Sequence, residues 1–516
     1  MSATSTVYLF QVRLVVLTLL GLLACLANAH ALTLDEVAQL AQTRAQTPYQ
    51  LKRQAVPAEL AALDYDGLRD IRFNDDKTLW RADQLPFEVK FFHLGPQGES
   101  VHINEVSAQG NKPLHYDGSA FNFGKNQLDT ASWDDLGYAG FRVHSPLNAA
   151  AYKDELIAFQ GASYFRALGV GQRYGLSARG LAVNSSGAPQ EEFPRFTDFW
   201  LEKPAVDAQQ LTIFALLDSP HMTGAYRFDI RPGEQTVTEV HARIFMRKGV
   251  DPKIATLGLA PLTSMFLFGE NQPKTGDFRP EVHDSDGLMM ASSDGEWLWR
   301  PLLNPAAPLV TSFAMKGLKG FGLMQRDRAF ASYEDTEARY ELRPSAWITP
   351  MGEWGPGRVE LLLLATPDET HDNVVAYWVP DQLPQPGESL DFAYQIGWQG
   401  AQQQRPPNGW ATQSRRGIGY SKLDAQALQQ TIQYVIDFTG PALDPLGADE
   451  PVRAIVSSDA NGRILESNAW RNPATGVWRM TLRVQRIVPN QPIELRAFLQ
   501  HNNNTVSETW TTIVTP

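Results

Sequence analysis

Four consecutive positions in "EVHDSDGLMM" (281–290) offer an imidazole, His283, and two carboxylates, Asp284 and Asp286, just ahead of an apolar run. Such a set could hold a metal, close a turn or move a proton. Counting removes calcium. An EF-hand loop begun at Asp284 puts Leu288 at its fifth position and Gly295 at its twelfth, where oxygen ligands are required. HExxH and CxxC spacings are absent and the 10 His are scattered, so zinc has no ligand set. "GLSARG" (175–180) is one residue too long for a nucleophile elbow, "GSAFNFGKN" (118–126) misses the phosphate loop, and "GVGQRYG" (169–175) misses the dinucleotide fingerprint. No metal or cofactor is expected. What remains is carboxylate chemistry, and composition cannot say which two of 57 Asp and Glu face one another. Candidates beside aromatics and glycines are Asp284 and Asp286, Glu296, Asp335, Glu353, Asp368 and Asp372. Read locally, each is a turn residue or a solvated charge, because Asp is a preferred turn former.

The elements that must position these groups are mostly strands. "TLDEVAQLAQTRAQTP" reads as a helix with a Thr33/Glu36 capping box and Leu34, Val37, Leu40 and Ala41 on one face. A second short helix follows, with Pro57 at its first position. From about Phe87, runs such as "FEVKFFHLG", "LTIFALLD", "TVTEVHARIFM" and "LDFAYQIGW" are rich in β-branched and aromatic residues and broken by Gly, Pro, Asn and Asp. This predicts a mostly antiparallel β protein. "GWQGAQQQRPPNGW" (397–410), polar and Pro-punctuated, suits a linker, taken as 399–410. It divides a large β-sandwich over 32–398 from an immunoglobulin-like sandwich over 411–516.

The first residues read as an address. Arg13, the run "LVVLTLLGLLACLA" and the small-residue pattern around Ala27, Ala29 and Ala31 form a Sec-type signal peptide over 1–31, too short to span a membrane. The competing reading of "LLAC" as a lipoprotein box acylated at Cys25 fits less well because of Leu23. Cys25 is the only cysteine, so disulfides contribute nothing after cleavage. The formal net charge of −12, one unit more negative once Arg13 leaves, repels phosphate backbones and anionic lipid. Nucleic acid and stable membrane insertion are therefore excluded as expectations, and a neutral or cationic ligand fits. Aromatics at 10%, with 13 Trp and 15 Tyr, are compatible with sugar-stacking platforms or with a large core.

Several long words are idiosyncratic: "FQGASYFRALGVGQRYGLSARGLAVN" (159–184), "EEFPRFTDFWLEKP" (191–204), "APLTSMFLFGENQP" (260–273), "RPEVHDSDGLMM" (279–290), "GFGLMQRDRAFASYEDTEARYELRPSAW" (320–347) and "DNVVAYWVP" (372–380). Together they resemble the OpgG/OpgD (MdoG) family of periplasmic glucan biosynthesis proteins, from about Leu32 through the C-terminal region. The lone Arg13, in place of a twin-arginine signal, makes the chain OpgG-like. The resemblance implies a galactose-mutarotase-like sandwich followed by the immunoglobulin-like one, a periplasmic location, and action on a β-1,2-linked glucan. It further implies inverting endo-β-1,2-glucanase chemistry or transglycosylation, or else glucan binding without catalysis beside the inner-membrane synthase. Inversion needs an acid and a base roughly 6.5 to 9.5 Å apart. Matched to the family's motifs, the acid falls on Asp372, the base on Asp284, and Tyr340 on a water-linked relay to the base. His283 and Asp286 become neighbours that orient Asp284 or the sugar, and Tyr164, Trp297, Trp299 and Trp354 are candidate sugar platforms. Asp372 is expected in an apolar or carboxylate-rich surround that raises its pKa, and Asp284 in a solvated or hydrogen-bonded one that keeps it charged.

Overall fold

The computed structural model of the chain describes residues 32–516 apart from 131–132, 134, 251–252, 421–422 and 425–427. The signal peptide reading, with Arg13 and Cys25, lies outside the described residues. Strands make up 47% of the chain and helices 8%, in several sheets with no barrel, as the mostly β reading expects.

At the N-terminus the capping box forms as read. Thr33 Oγ1 accepts from Glu36 N–H (3.3 Å), and Glu36 Oε2 accepts from Thr33 N–H (2.8 Å). The helix Leu34–Ala45 buries Val37, Ala38 and Ala41 against the large sheet, but Leu40 stays 49% exposed on the far side. Pro57 is the N-cap of Ala58–Ala61 rather than its first helical residue.

Among the described residues the strands build a ten-stranded and a fifteen-stranded sheet, with smaller two- and four-stranded ones. Strand alternation decides what each face carries. In Tyr164–Ala167 of the ten-stranded sheet, Phe165 and Ala167 are fully buried, whereas Tyr164 and Arg166 point to the opposite face. The buried side meets the fifteen-stranded sheet through aromatic contacts: Phe141 on Phe199 at 5.0 Å, Phe159 on Phe228 at 5.1 Å and Phe165 on Phe228 at 5.2 Å. These edge-to-face pairs join the two layers of a sandwich.

The C-terminal strands Trp410–Gly417, Thr431–Thr439, Trp478–Arg486 and Gly462–Arg471 form the four-stranded sheet. Facing it are Val452–Ser458, Ile493–His501 and Thr509–Val514, which extend the fifteen-stranded sheet. Thr509–Val514 runs parallel to Trp297–Pro301, with Leu298 opposite Thr509 and Trp299 opposite Trp510. One hydrophobic cluster accordingly unites Met289, Trp299, Met324 and Trp347 with Tyr434, Leu482, Leu499 and Trp510. Between strands ending at Gln399 and starting at Trp410, the chain is held down rather than tethered loosely: Gln403 Nε2 donates to Gln325 O (3.1 Å) and Asn408 Nδ2 to Thr505 O (3.1 Å).

Candidate functional site

The site is assembled on three residues, Ser264, Met265 and Phe266, where the strand Leu257–Ser264 ends and Phe266–Phe268 begins. Asp284 N–H donates to Met265 O (2.8 Å), and the neighbouring Ser285 hydroxyl pairs with Ser264 Oγ (2.9 Å). From the head of a strand more than a hundred positions later, Asn373 N–H donates to Ser264 O (3.0 Å). The buried Asn373 carboxamide accepts from Phe266 N–H (2.8 Å) and donates to Phe266 O and Leu364 O (each 3.0 Å). Thus Asp284 and Asp372, remote in sequence, are each one residue from an anchor on the same short stretch.

Their surroundings differ. Asp284 is 5% exposed and its Oδ1 is ion-paired with Arg343 Nη1. Burial pushes its pKa up, Arg343 pulls it down, and the charge of Asp372 pushes it up again. Asp372 is exposed to solvent at the head of the strand Val374–Pro380. Crowding by neighbours still raises its pKa, against the pull of Arg166, Arg179 and Arg343. Of the apolar or carboxylate-rich surround expected of Asp372, the charged neighbours are arginines and the raised pKa comes from desolvation; of the solvated or hydrogen-bonded setting expected of Asp284, the structure has an enclosed one with Arg343 donating to it. Arg343 is set up locally by Pro344, which confines it to the extended region (φ −74°, ψ 140°).

Tyr340 starts a 3-10 turn after Arg339, whose φ of +49° is left-handed. Its buried ring lies 4.1 Å from the Arg343 guanidinium, and burial together with the charges of Glu369 and Asp284 holds its hydroxyl protonated. Arg343 thus touches both the expected base and the expected relay.

His283 is fully buried. Gln325 Nε2 donates to His283 O (2.9 Å) and Tyr340 O (3.1 Å), which leaves Gln325 Oε1 to accept from His283 Nδ1 (2.9 Å). Nε2 meets Glu281 Oε2 (2.9 Å), and with both ring nitrogens facing acceptors the pKa of His283 is raised against the effect of burial. The ring stacks on Phe266 at 5.3 Å. Of the two parts expected of His283, orienting Asp284 or the sugar, full burial leaves it no surface for a sugar, and its bonds brace the strand Val282–His283 that leads into Asp284. Asp286 is likewise a turn former: Oδ2 accepts from Arg326 N–H (2.8 Å) and Asp327 N–H (3.0 Å). It lines a small cavity of about 30 Å³ together with Glu270, Glu281, His283 and Ser414, a lining that does not include Asp372. Gly287 follows because a Cβ there would lie 2.1 Å from the Trp299 ring.

Three tryptophans are also corrected. Trp299 is 4% exposed beneath the Arg326 guanidinium at 3.6 Å, Trp297 stacks on Trp347 at 5.7 Å, and Trp354 packs edge-on to Tyr394 at 6.0 Å. The first two pack in the cluster shared with the C-terminal strands, and Trp354 packs against the core of the large sandwich. Tyr164 remains: it is half-buried on the outer face and feels the charge of Asp372. Of the other carboxylates, Asp335 pairs with Arg279 (3.1 Å), Glu296 bonds Thr509 Oγ1 (2.8 Å), Asp368 caps an exposed turn, and Glu353 is exposed. Among the described residues one trio with metal-ligand types, Asp229, Glu239 and His241, lies within 4.8 Å, but Arg227 and Arg231 already engage its carboxylates. Sequence reasoning missed Arg343, Asn373 and Ser285. Only the Arg-Pro step at 343–344 carried a local signal.

Comparison with known proteins agrees over nearly the whole chain. Residues 32–514 match the family model described as periplasmic glucan biosynthesis protein, MdoG. A glucans biosynthesis protein G of Ralstonia nicotianae is 50% identical over 502 residues, covering 96% of this chain and 99% of that protein. Proteins of the same name from Pseudomonas paraeruginosa and Pseudomonas aeruginosa are 46% identical over 491 residues, covering 94% of this chain and 93% of theirs. No helix among the described residues is long and apolar enough to cross a membrane. With its central motifs, its two-layered β architecture and these relatives in agreement, the chain belongs to the MdoG family of periplasmic glucan biosynthesis proteins.

Proposed function

We propose that the protein acts in the periplasm on the β-1,2-linked backbone of a glucan, as an inverting endo-glucanase or transglycosylase that trims or remodels the chain during its biosynthesis. The observation that carries this reading is the anchoring of Asp284 and Asp372 on one three-residue stretch in unlike environments. Asp372, solvent-accessible with a raised pKa, is suited to hold a proton and deliver it to the leaving glycosidic oxygen. Asp284, whose charge Arg343 compensates, is suited to receive the proton of the attacking water. As the motif match implies, that proton travels through water and the Tyr340 hydroxyl, which stays protonated at rest and relays rather than stores it. Water adds to the anomeric carbon on the face opposite the departing oxygen, and the configuration inverts.

Incubation of linear β-1,2-glucan with wild type should release short oligosaccharides, and Asp372→Asn should lose at least a hundredfold of that activity, as general acid catalysis contributes about 10²- to 10⁴-fold. Equal activity in the two removes Asp372 as the acid. A second reading is favoured by the enclosure of Asp284 in its ion pair with Arg343: a glucan-binding protein that guides the chain beside the membrane synthase without cleaving it. Glucan bound at unchanged chain length after long incubation selects that reading.

A further inference from the structure

Beside Asp372, on the outer face of the ten-stranded sheet, two aromatic rings share one guanidinium. Tyr164 and Arg179 are register partners on adjacent strands, and Arg179 Cζ lies 4.8 Å from the Tyr164 ring centroid and 5.5 Å from that of Phe193. Arg179 itself is 5% exposed and has little freedom. Its Nε donates to Thr263 Oγ1 (2.8 Å) and its Nη1 to Glu191 Oε1 (2.8 Å), and Glu191 Oε1 is held in turn by Ser185 Oγ (2.6 Å). The charge is therefore neutralised locally, and the guanidinium serves as a fixed plane against which both rings rest. Phe193 nonetheless leaves 48% of its surface in water. The cluster is within electrostatic reach of the acid, since Asp372 raises the pKa of Tyr164 and Arg179 lowers that of Asp372.

A rigid, partly exposed aromatic pair with its cation already compensated suits a neutral ligand with flat C–H faces and hydroxyl rims. We propose that Phe193 and Tyr164, locked by Arg179, form a pyranose-binding subsite next to Asp372 that takes one glucosyl unit of the chain. Phe193 stacks on the sugar face, the Tyr164 hydroxyl, kept protonated by burial, donates to a sugar oxygen, and Glu191 accepts from a hydroxyl. The subsite deepens the glucan reading above and rests on it for the identity of the ligand, but it does not require cleavage.

The test is calorimetric binding of linear β-1,2-glucan oligosaccharides to the full chain in an Asp372→Asn background, so that turnover does not enter. Phe193→Ala should weaken binding about five- to tenfold, the order expected for losing one stacked ring, and Phe193→Trp should restore it. Phe193 is exposed enough that neither change threatens the fold, which a matched melting curve checks. Unchanged affinity in Phe193→Ala overturns the subsite even if wild type cleaves glucan. Weakened binding with rescue by Trp supports it even if no cleavage is found. Absence of glucan binding by the parent protein overturns both this proposal and the glucan reading.

Discussion

Replacing Arg343 by methionine should destabilise the protein strongly at alkaline pH and little at acid pH, because the substitution strands a single enclosed carboxylate. Asp284 is 5% exposed, and the Arg343 side chain is 18% exposed in their ion pair. Removing one partner of such a pair costs about 3 to 5 kcal/mol. Arg343 is partly hydrated and methionine recovers some packing over Tyr340, so about 3 kcal/mol is expected at pH 8. The stranded group has one escape, which is to bind a proton. Its folded-state pKa is already raised above the unfolded value, so its favourable contribution is complete at low pH and is lost as pH rises through the folded pKa. Without Arg343, the largest cause that lowers it, that pKa climbs further. The gap between wild type and variant therefore opens as pH passes the wild-type pKa and levels off above that of the variant. Near pH 4 only a packing difference of about 1 kcal/mol is left. Urea unfolding followed by tryptophan fluorescence at both pH values reads this gap, and Asp284→Asn in the Arg343→Met background should recover most of it. An equal loss at both pH values, or a double variant no more stable than the single one, would refute the argument that Arg343 compensates Asp284.

Two further outcomes follow from the anchors and the small cavity. Asn373→Ala removes three hydrogen bonds to buried backbone groups of Phe266 and Leu364 and should cost about 3 kcal/mol by denaturant titration, with glucan turnover falling as Asp372 loses its fixed position. Glu270, pushed up to about 8 mainly by burial and next by Glu281, contributes stability that is complete below the ordinary carboxylate range and disappears as pH rises through that value. Wild type should lose on the order of 3 kcal/mol between pH 5 and pH 9 through this group, and a Glu270→Gln variant should show a flatter profile in the same titration.

Strand content was legible because period-two alternation is a local property: "YFRA" at 164–167 sends Phe165 and Ala167 inward wherever the strand is placed. The capping box at Thr33 is equally local. Leu40 was misplaced because the stripe that helix buries is narrower than its apolar residues suggest. The tryptophans at 297 and 299 were misread for a non-local reason. Their exposure is decided by strands two hundred positions later, which cover the face that alternation alone would leave open. The pairing of Asp284 with Asp372 came from motif resemblance, and nothing in either neighbourhood announces the other. What holds each in place, Ser285 and Asn373, looks like ordinary turn polarity until both are seen gripping Ser264 to Phe266. Arg343 was invisible for the same reason, since an arginine reveals its partner only through three-dimensional placement.

The parallel pairing of Thr509–Val514 with Trp297–Pro301 has a consequence for the order in which the molecule forms. Thr511 Oγ1 closes onto Trp299 O across 212 positions, so the sheet whose strand Gly287–Ser292 follows Asp284 gains this neighbour only when Thr509–Val514 arrives. Contacts of such separation form late and slowly. Until then Trp299, Met289 and Arg326 lack their cover and the Arg326–Glu508 pair cannot close. Until Thr509–Val514 pairs, the sheet edge at Trp297–Pro301 stays open and adhesive, so this sheet is completed later than the segment that bears the carboxylates.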